Sequence, residues 1–159
     1  MTEAAIIDAL LTFLPQQNMT EDDFNRLALV IFAWQFANNP AYRRFALQRG
    51  RTPFTVKHWR AIPAIPITAF KDLTLSCHDI DDVETVFTTS VTTGTVIVRS
   101  YHPTLAVLHC SMMHNFRKRC LSGRARNRMG RFFPGDCASP HSPPAPALSL
   151  ARPTFGTAG

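Results

Sequence analysis

A break in composition at Arg117 constrains this chain more than any other feature. From there to Gly159 run 43 residues with six prolines, no helical or strand period and few aliphatic side chains. Such a segment cannot bury enough apolar surface to offset the entropy of ordering it, so it reads as a disordered tail. The fold is therefore sought in residues 1–116. Charge divides at the same place. Residues 1–116 carry nine Lys/Arg against ten Asp/Glu, a net of −1; residues 117–159 carry eight against one, a net of +7. The formal +6 of the whole chain thus belongs to the tail. Its Arg cluster "RKRCLSGRARNRMGR" could grip phosphates, but a nucleic-acid partner is the weaker reading. An abrupt switch to an Arg/Pro/Ala/Ser mixture is what out-of-frame translation of GC-rich DNA produces. A reading frame lost near Arg117 is our hypothesis for it.

The start "MTEAAIIDALLTFLP" is acidic and has no basic stretch, so it does not read as a signal peptide. The longest apolar run, Leu27 to Phe36, is about half of what a membrane span needs. The four cysteines, Cys77, Cys110, Cys120 and Cys137, form no CxxC pair. Free thiols in a reducing, cytoplasmic setting are expected.

Helices are expected first. Glu3 to Leu14 places Ile6, Ile7, Leu10, Leu11 and Leu14 at helical spacing and ends at Pro15. The next begins with Thr20 as N-cap and puts Glu21, Asp22 and Asp23 at the positive end of the dipole. From Phe24 on it is apolar on nearly every side, which predicts burial by neighbours. Asn38, Asn39 and Pro40 stop it, and a short third helix closes at Gly50. Tyr42, Arg43 and Arg44 read as a solvated face. Pro53, Pro63 and Pro66 forbid a long helix, leaving a short one around Val56 to Arg60 and then an extended crossing segment. "DVETVFTT" and "TVIVRSYH" read as strands. A helix from about Thr104 to Phe116 follows, with Leu105, Leu108, Met112 and Phe116 in one stripe against a core.

Between the two strands stands "TSVTTG", Thr89 to Gly94. Gripping a phosphate takes inward backbone N–H groups and small hydroxyls that donate to anionic oxygens. Thr89, Ser90, Thr92, Thr93 and Gly94 supply these, and Arg99 is a weaker candidate for neutralising charge. Val91 occupies a place where such a loop normally has glycine. By pattern alone, an ordinary Thr-rich turn fits the same residues.

The blocks "FNRLALVIFAWQFANNPAYRRF", "WRAIPAIPITAFKDLTL", "VFTTSVTTG" and "RSYHPTLAVLHCSMMHNF" occur in this order. Together they resemble the N-terminal part of the acyl-protein synthetases, the LuxE-type long-chain-fatty-acid–protein ligases of bacterial bioluminescence. The resemblance runs from about Asp23 to Phe116, and so covers well over half of this chain but only the first part of the family's length. It implies an α/β fold: N-terminal helices (domain 1–116) leading into the first strands and helix of an incomplete adenylate-forming domain, before the tail 117–159. It implies ATP, with Mg2+, as the cofactor. The expected chemistry is activation of a fatty acid to an acyl-adenylate and transfer to a protein thiol. A fatty-acid reductase or acyltransferase subunit is the implied partner. Thr89, Ser90, Thr92, Thr93 and Gly94 match the family's TSGTTG phosphate loop, with Val91 in place of its first glycine. The block around Phe70-Lys71 also matches, without a role assigned to Lys71. None of the four cysteines sits where the family's acyl-accepting cysteine lies, so the expectation is a truncated form. The alternative is a small non-catalytic partner-binding protein with a basic tail.

Other constellations are weaker. His109, Cys110, His114 and Cys120, with Cys77-His78, lack the tight paired spacing of structural zinc sites. The histidines of this last helix are expected on its surface. Trp34 and Trp59 read as packing residues. Ser111 lies near His114 but has no nucleophile elbow around it.

Overall fold

A computed structural model describes residues 2–90 and 97–121. It is a mixed α/β arrangement: helices α1 (Glu3–Phe13), α2 (Glu21–Asn38) and α3 (Pro40–Gln48), a 3-10 turn (Trp59–Ala61), the one-turn helix α4 (Ala69–Asp72), strands β1 (Thr85–Ser90) and β2 (Ile97–His102), and helix α5 (Ala106–Cys120).

The helix starts follow from their caps. The Thr2 hydroxyl accepts from the Ala5 amide at 3.4 Å to begin α1. At α2 a full capping box forms: Asp23 N–H donates to the Thr20 hydroxyl at 3.1 Å, and Thr20 N–H donates to the Asp23 carboxylate at 3.2 Å. Hydrogen bonds from the Thr20 side chain and then its backbone lower the Asp23 pKa. Asn39 both ends α2, through its amide to the Gln35 carbonyl, and caps α3, accepting from the Tyr42 amide at 3.0 Å. Pro40 takes the first position of α3, where its missing N–H costs no bond. That helix closes in a Schellman motif: Gly50, at φ 64°, donates to Leu47, and Arg51 N–H reaches the Ala46 carbonyl at 2.9 Å.

The main core lies between α2, α3 and the chain that follows. Phe32, Tyr42, Ala46 and Val56 are buried there, with Leu29, Phe36, Phe45 and Ile62 among the half-buried residues packed around them. The Tyr42 ring meets Phe32 edge-on at 6.0 Å, and its hydroxyl donates to the Pro63 carbonyl at 3.0 Å. Burial raises its pKa. Tyr42 therefore does not belong to a solvated face. Arg43 does another task again: its guanidinium donates to the carbonyls of Phe36 and Ala37 at the end of α2, where those groups have no helical partner.

Four more expectations change. Of α2, Phe32 alone is buried; a hollow of about 340 Å³ runs along its flank, lined by Leu10, Phe13, Phe24, Ile31 and Ile62 among others. The expected helix over Val56–Arg60 is a turn at Thr52–Val56 followed by the 3-10 turn, because Val56 is drawn into the core. The helix expected to end at Phe116 runs on to Cys120. The tail boundary at Arg117 thus falls inside α5. No residue of α5 itself is buried; the sealed position is Leu121 just beyond it, against Met113 and Phe116. His109 is half-buried and its Nε2 is shut away from solvent, so it is not a surface histidine. Residues 122–159, where the disordered tail was expected, lie outside the described residues.

Removing the Phe32 side chain empties the centre of the main core. Phe32→Ala is expected to cost about 3–5 kcal/mol, and Thr20→Ala about 1 kcal/mol through loss of the cap. Urea denaturation followed by circular dichroism checks both, and equal losses would show that the core does not centre on Phe32.

Candidate functional site

The strand pair positions the candidate loop. β1 and β2 are antiparallel, in a register that runs from Thr85 opposite His102 to Ser90 opposite Ile97. Thr89 and Ser90 are therefore the last two residues of β1, and the paired ends of the strands flank positions 91–96. Thr92, Thr93 and Gly94, with Val91, lie outside the described residues.

Cross-strand partners share a face of the sheet. Val86 with Tyr101 and Thr88 with Arg99 line one face, and Arg99 is exposed there. Thr85 with His102 and Phe87 with Ser100 line the other. This second face is the packed one. Phe87 is buried, and the His102 ring meets it edge-on at 4.9 Å. The Ser100 hydroxyl and His102 Nε2 are 3.0 Å apart, a hydrogen bond whose direction depends on the histidine tautomer. Burial lowers the His102 pKa, favouring the neutral ring. Sequence reading missed this serine–histidine pair. Its signal was a period-two spacing on a strand, which puts residues 100 and 102 on one face. The pair sits beside the stem that holds Thr89 and Ser90.

Two further elements brace the stem. α4, which carries Lys71, lies against β2. The Glu84 carboxylate, just before β1, accepts from the Leu105 amide at 2.9 Å and so ties the start of α5 to the strand. The Leu105 side chain makes no capping bond and the residue is itself helical in conformation; the Thr104 hydroxyl accepts instead from the Ala106 amide at 3.2 Å.

The Cys77 thiol is not poised for attack. Cys77 is half-buried; burial and then the nearby Glu3 charge raise its pKa, only partly offset by a hydrogen bond with Asn39. A raised pKa leaves the thiolate scarce and the sulfur inert. His78 Nε2 lies 2.8 Å from Glu3 Oε1. That approach is short but not aligned as a hydrogen bond, and it brings residue 78 against α1. Among the described residues no three His, Cys, Asp or Glu side chains stand together to hold a metal ion. No helix among them is long and apolar enough to cross a membrane.

No protein-family model, curated protein or solved structure matches this chain.

The depressed His102 pKa has a testable sign. The unfolded chain takes up this proton at a higher pH than the folded one, so His102 favours the folded state most above its ordinary value of 6.5. That contribution is lost as pH falls through 6.5 toward the depressed value. In urea titrations across this range, His102→Gln is expected to flatten the fall in stability on acidification. An unchanged pH slope would show that His102 is not its source.

Proposed function

We propose that this chain carries the N-terminal part of an ATP-dependent acyl-protein synthetase of the LuxE type, with Thr89, Ser90, Thr92, Thr93 and Gly94 as its ATP-phosphate loop. The observation that supports this reading best is the register of β1 and β2. A Thr/Ser/Gly segment joined to two paired strand ends starts and finishes on a fixed stem. In the proposed reaction a fatty-acid carboxylate oxygen attacks the α-phosphorus of ATP. The bond to the β-phosphate oxygen breaks, pyrophosphate leaves with its negative charge, and an acyl-adenylate remains. A protein thiolate then displaces AMP from the acyl carbon. Hydroxyl and amide donors of the loop stabilise charge on the departing pyrophosphate, and Mg2+ would enter on the phosphates of the substrate. The raised pKa of Cys77 argues against that thiol as the acyl acceptor. Arg99 lies on the outer face of the stem, where it could meet a phosphate only beyond the strand ends.

A second reading has its own observation. Phe54 is 87% and Ile67 83% exposed, which is unusual for large apolar side chains and suits a non-catalytic module that binds a partner, such as a reductase subunit.

ATP–pyrophosphate exchange with a long-chain fatty acid separates the two. Val91 is β-branched where the family has glycine, and left-handed backbone there would carry strain of about 1–3 kcal/mol. Val91→Gly is therefore expected to strengthen ATP binding and raise exchange. Thr92→Ala or Thr93→Ala in that background is expected to lower exchange by about 10²–10³-fold. If folded wild-type and Val91→Gly proteins neither bind ATP nor exchange pyrophosphate, the ligase reading fails and the partner-binding one stands.

A further inference from the structure

A surface apart from the strand pair carries an inference that is independent of the ligase reading. No Asp or Glu occurs between Asp23 and Asp72, a stretch that contains Arg26, Arg43, Arg44, Arg49, Arg51, Lys57, Arg60 and Lys71. Within it, Ala46 and Val56 are both buried in the main core. Residues 47–55 therefore leave the core and return to it at neighbouring points. The excursion is held in shape by its own bonds. Arg51 N–H donates to the Ala46 carbonyl, the Thr55 hydroxyl donates to the Gly50 carbonyl at 3.2 Å, and the Thr52 amide donates to the Thr55 hydroxyl at 2.9 Å.

Its outward side chains combine grease with positive charge. Phe54 stands out almost fully exposed, and Leu47, at the end of α3, is 51% exposed. Arg44 precedes Leu47 by three residues and so neighbours it on the helix surface. Arg44, Arg51 and Lys57 are all exposed, and none forms an ion pair among the described residues. Glu21, which reaches this region from α2, is engaged by Arg60 at 3.1 Å and approached by His58 at 3.8 Å. Arg49 lies over the Phe45 ring at 3.6 Å and is occupied there.

The geometry points to a membrane-docking tip: Phe54 and Leu47 enter the interfacial layer of an anionic lipid surface while Arg44, Arg51 and Lys57 meet its headgroups. Charge complementarity selects the partner. Unpaired cations close in sequence to an exposed apolar side chain match a surface that is negative outside and apolar just beneath. A lipid layer also needs no shaped pocket to receive a single Phe on a turn. Single-stranded nucleic acid fits less well, because it is held by several aromatic platforms along a basic groove, and this excursion offers one aromatic ring and an aliphatic neighbour.

The full-length chain is tested by co-sedimentation with phosphatidylcholine vesicles, with and without phosphatidylserine. Binding is expected only with phosphatidylserine, weaker at high salt, and reduced about fivefold by each of Arg44→Gln, Arg51→Gln and Lys57→Gln. The basic segment 117–159 could attach the chain by itself, so position 54 is read separately. Phe54→Trp is expected to add fluorescence quenching by bromine-labelled lipid beyond that of Trp34 and Trp59 in the wild type. Phe54 has little to lose by substitution, and circular dichroism confirms that the variant folds. Attachment without added quenching assigns it to the basic segment and overturns the proposal. So does failure to bind, or a single-stranded oligonucleotide that displaces the chain and protects position 54 where vesicles do not.

Discussion

Asn39 is the residue on which the helical half depends. It is a buried polar residue between two helices, and its backbone N–H and its side-chain oxygen are both used. Its amide completes the last turn of α2 while its side chain opens the first turn of α3, so one residue fixes the path from one helix to the next. Placing α3 in this way carries Tyr42 onto Phe32 and its hydroxyl onto Pro63. The proline-rich crossing segment, with few backbone donors to spend, is held down by that bond and by the Trp59 amide donating to the Asn25 side chain at 2.7 Å. An orphaned polar group at this depth costs far more than the single bond it would lose, which makes the corner intolerant of an apolar substitute. Asn39 also reaches Cys77, so the same side chain links the corner to the segment before the strands.

Much of this was legible in the sequence wherever one residue type has one local task. Thr20 with Asp23 three residues on, Pro40 after Asn39, and Gly50 after an amphipathic stretch each announce a helix end through backbone chemistry that tertiary packing rarely overrides. Both strands were readable from their β-branched content. The failures were of another kind. Tyr42, Arg43 and Arg44 are consecutive, and successive helical residues point about 100° apart; they cannot share a face, and one packs, one caps and one stands free. The length of α5 was hidden because basic residues, which mark a tail by composition, also favour the last turn of a helix. Val56 left its expected helix because the core needed its side chain, which no local rule reports.

The candidate loop shows the same division. The strands on either side of it were read correctly, and their pairing makes its two ends neighbours in space. The Ser100–His102 pair has no turn around its serine to mark it in the sequence; a strand brings the two together by alternation alone. With Phe87 it forms a packed inner face, so the stem is anchored on that side. Glu84 extends that anchoring to α5 by lending a carboxylate to the Leu105 amide, beside the Thr104 hydroxyl that takes the Ala106 amide.

The two-strand ribbon has one more consequence. Among the described residues, β1 pairs only with β2. A ribbon of two strands is marginal by itself, and a bare edge is a template for another strand. Growth of this sheet takes a third strand along one of its edges. A strand supplied within a larger fold would extend it usefully, whereas one supplied by a second copy would join chains edge to edge.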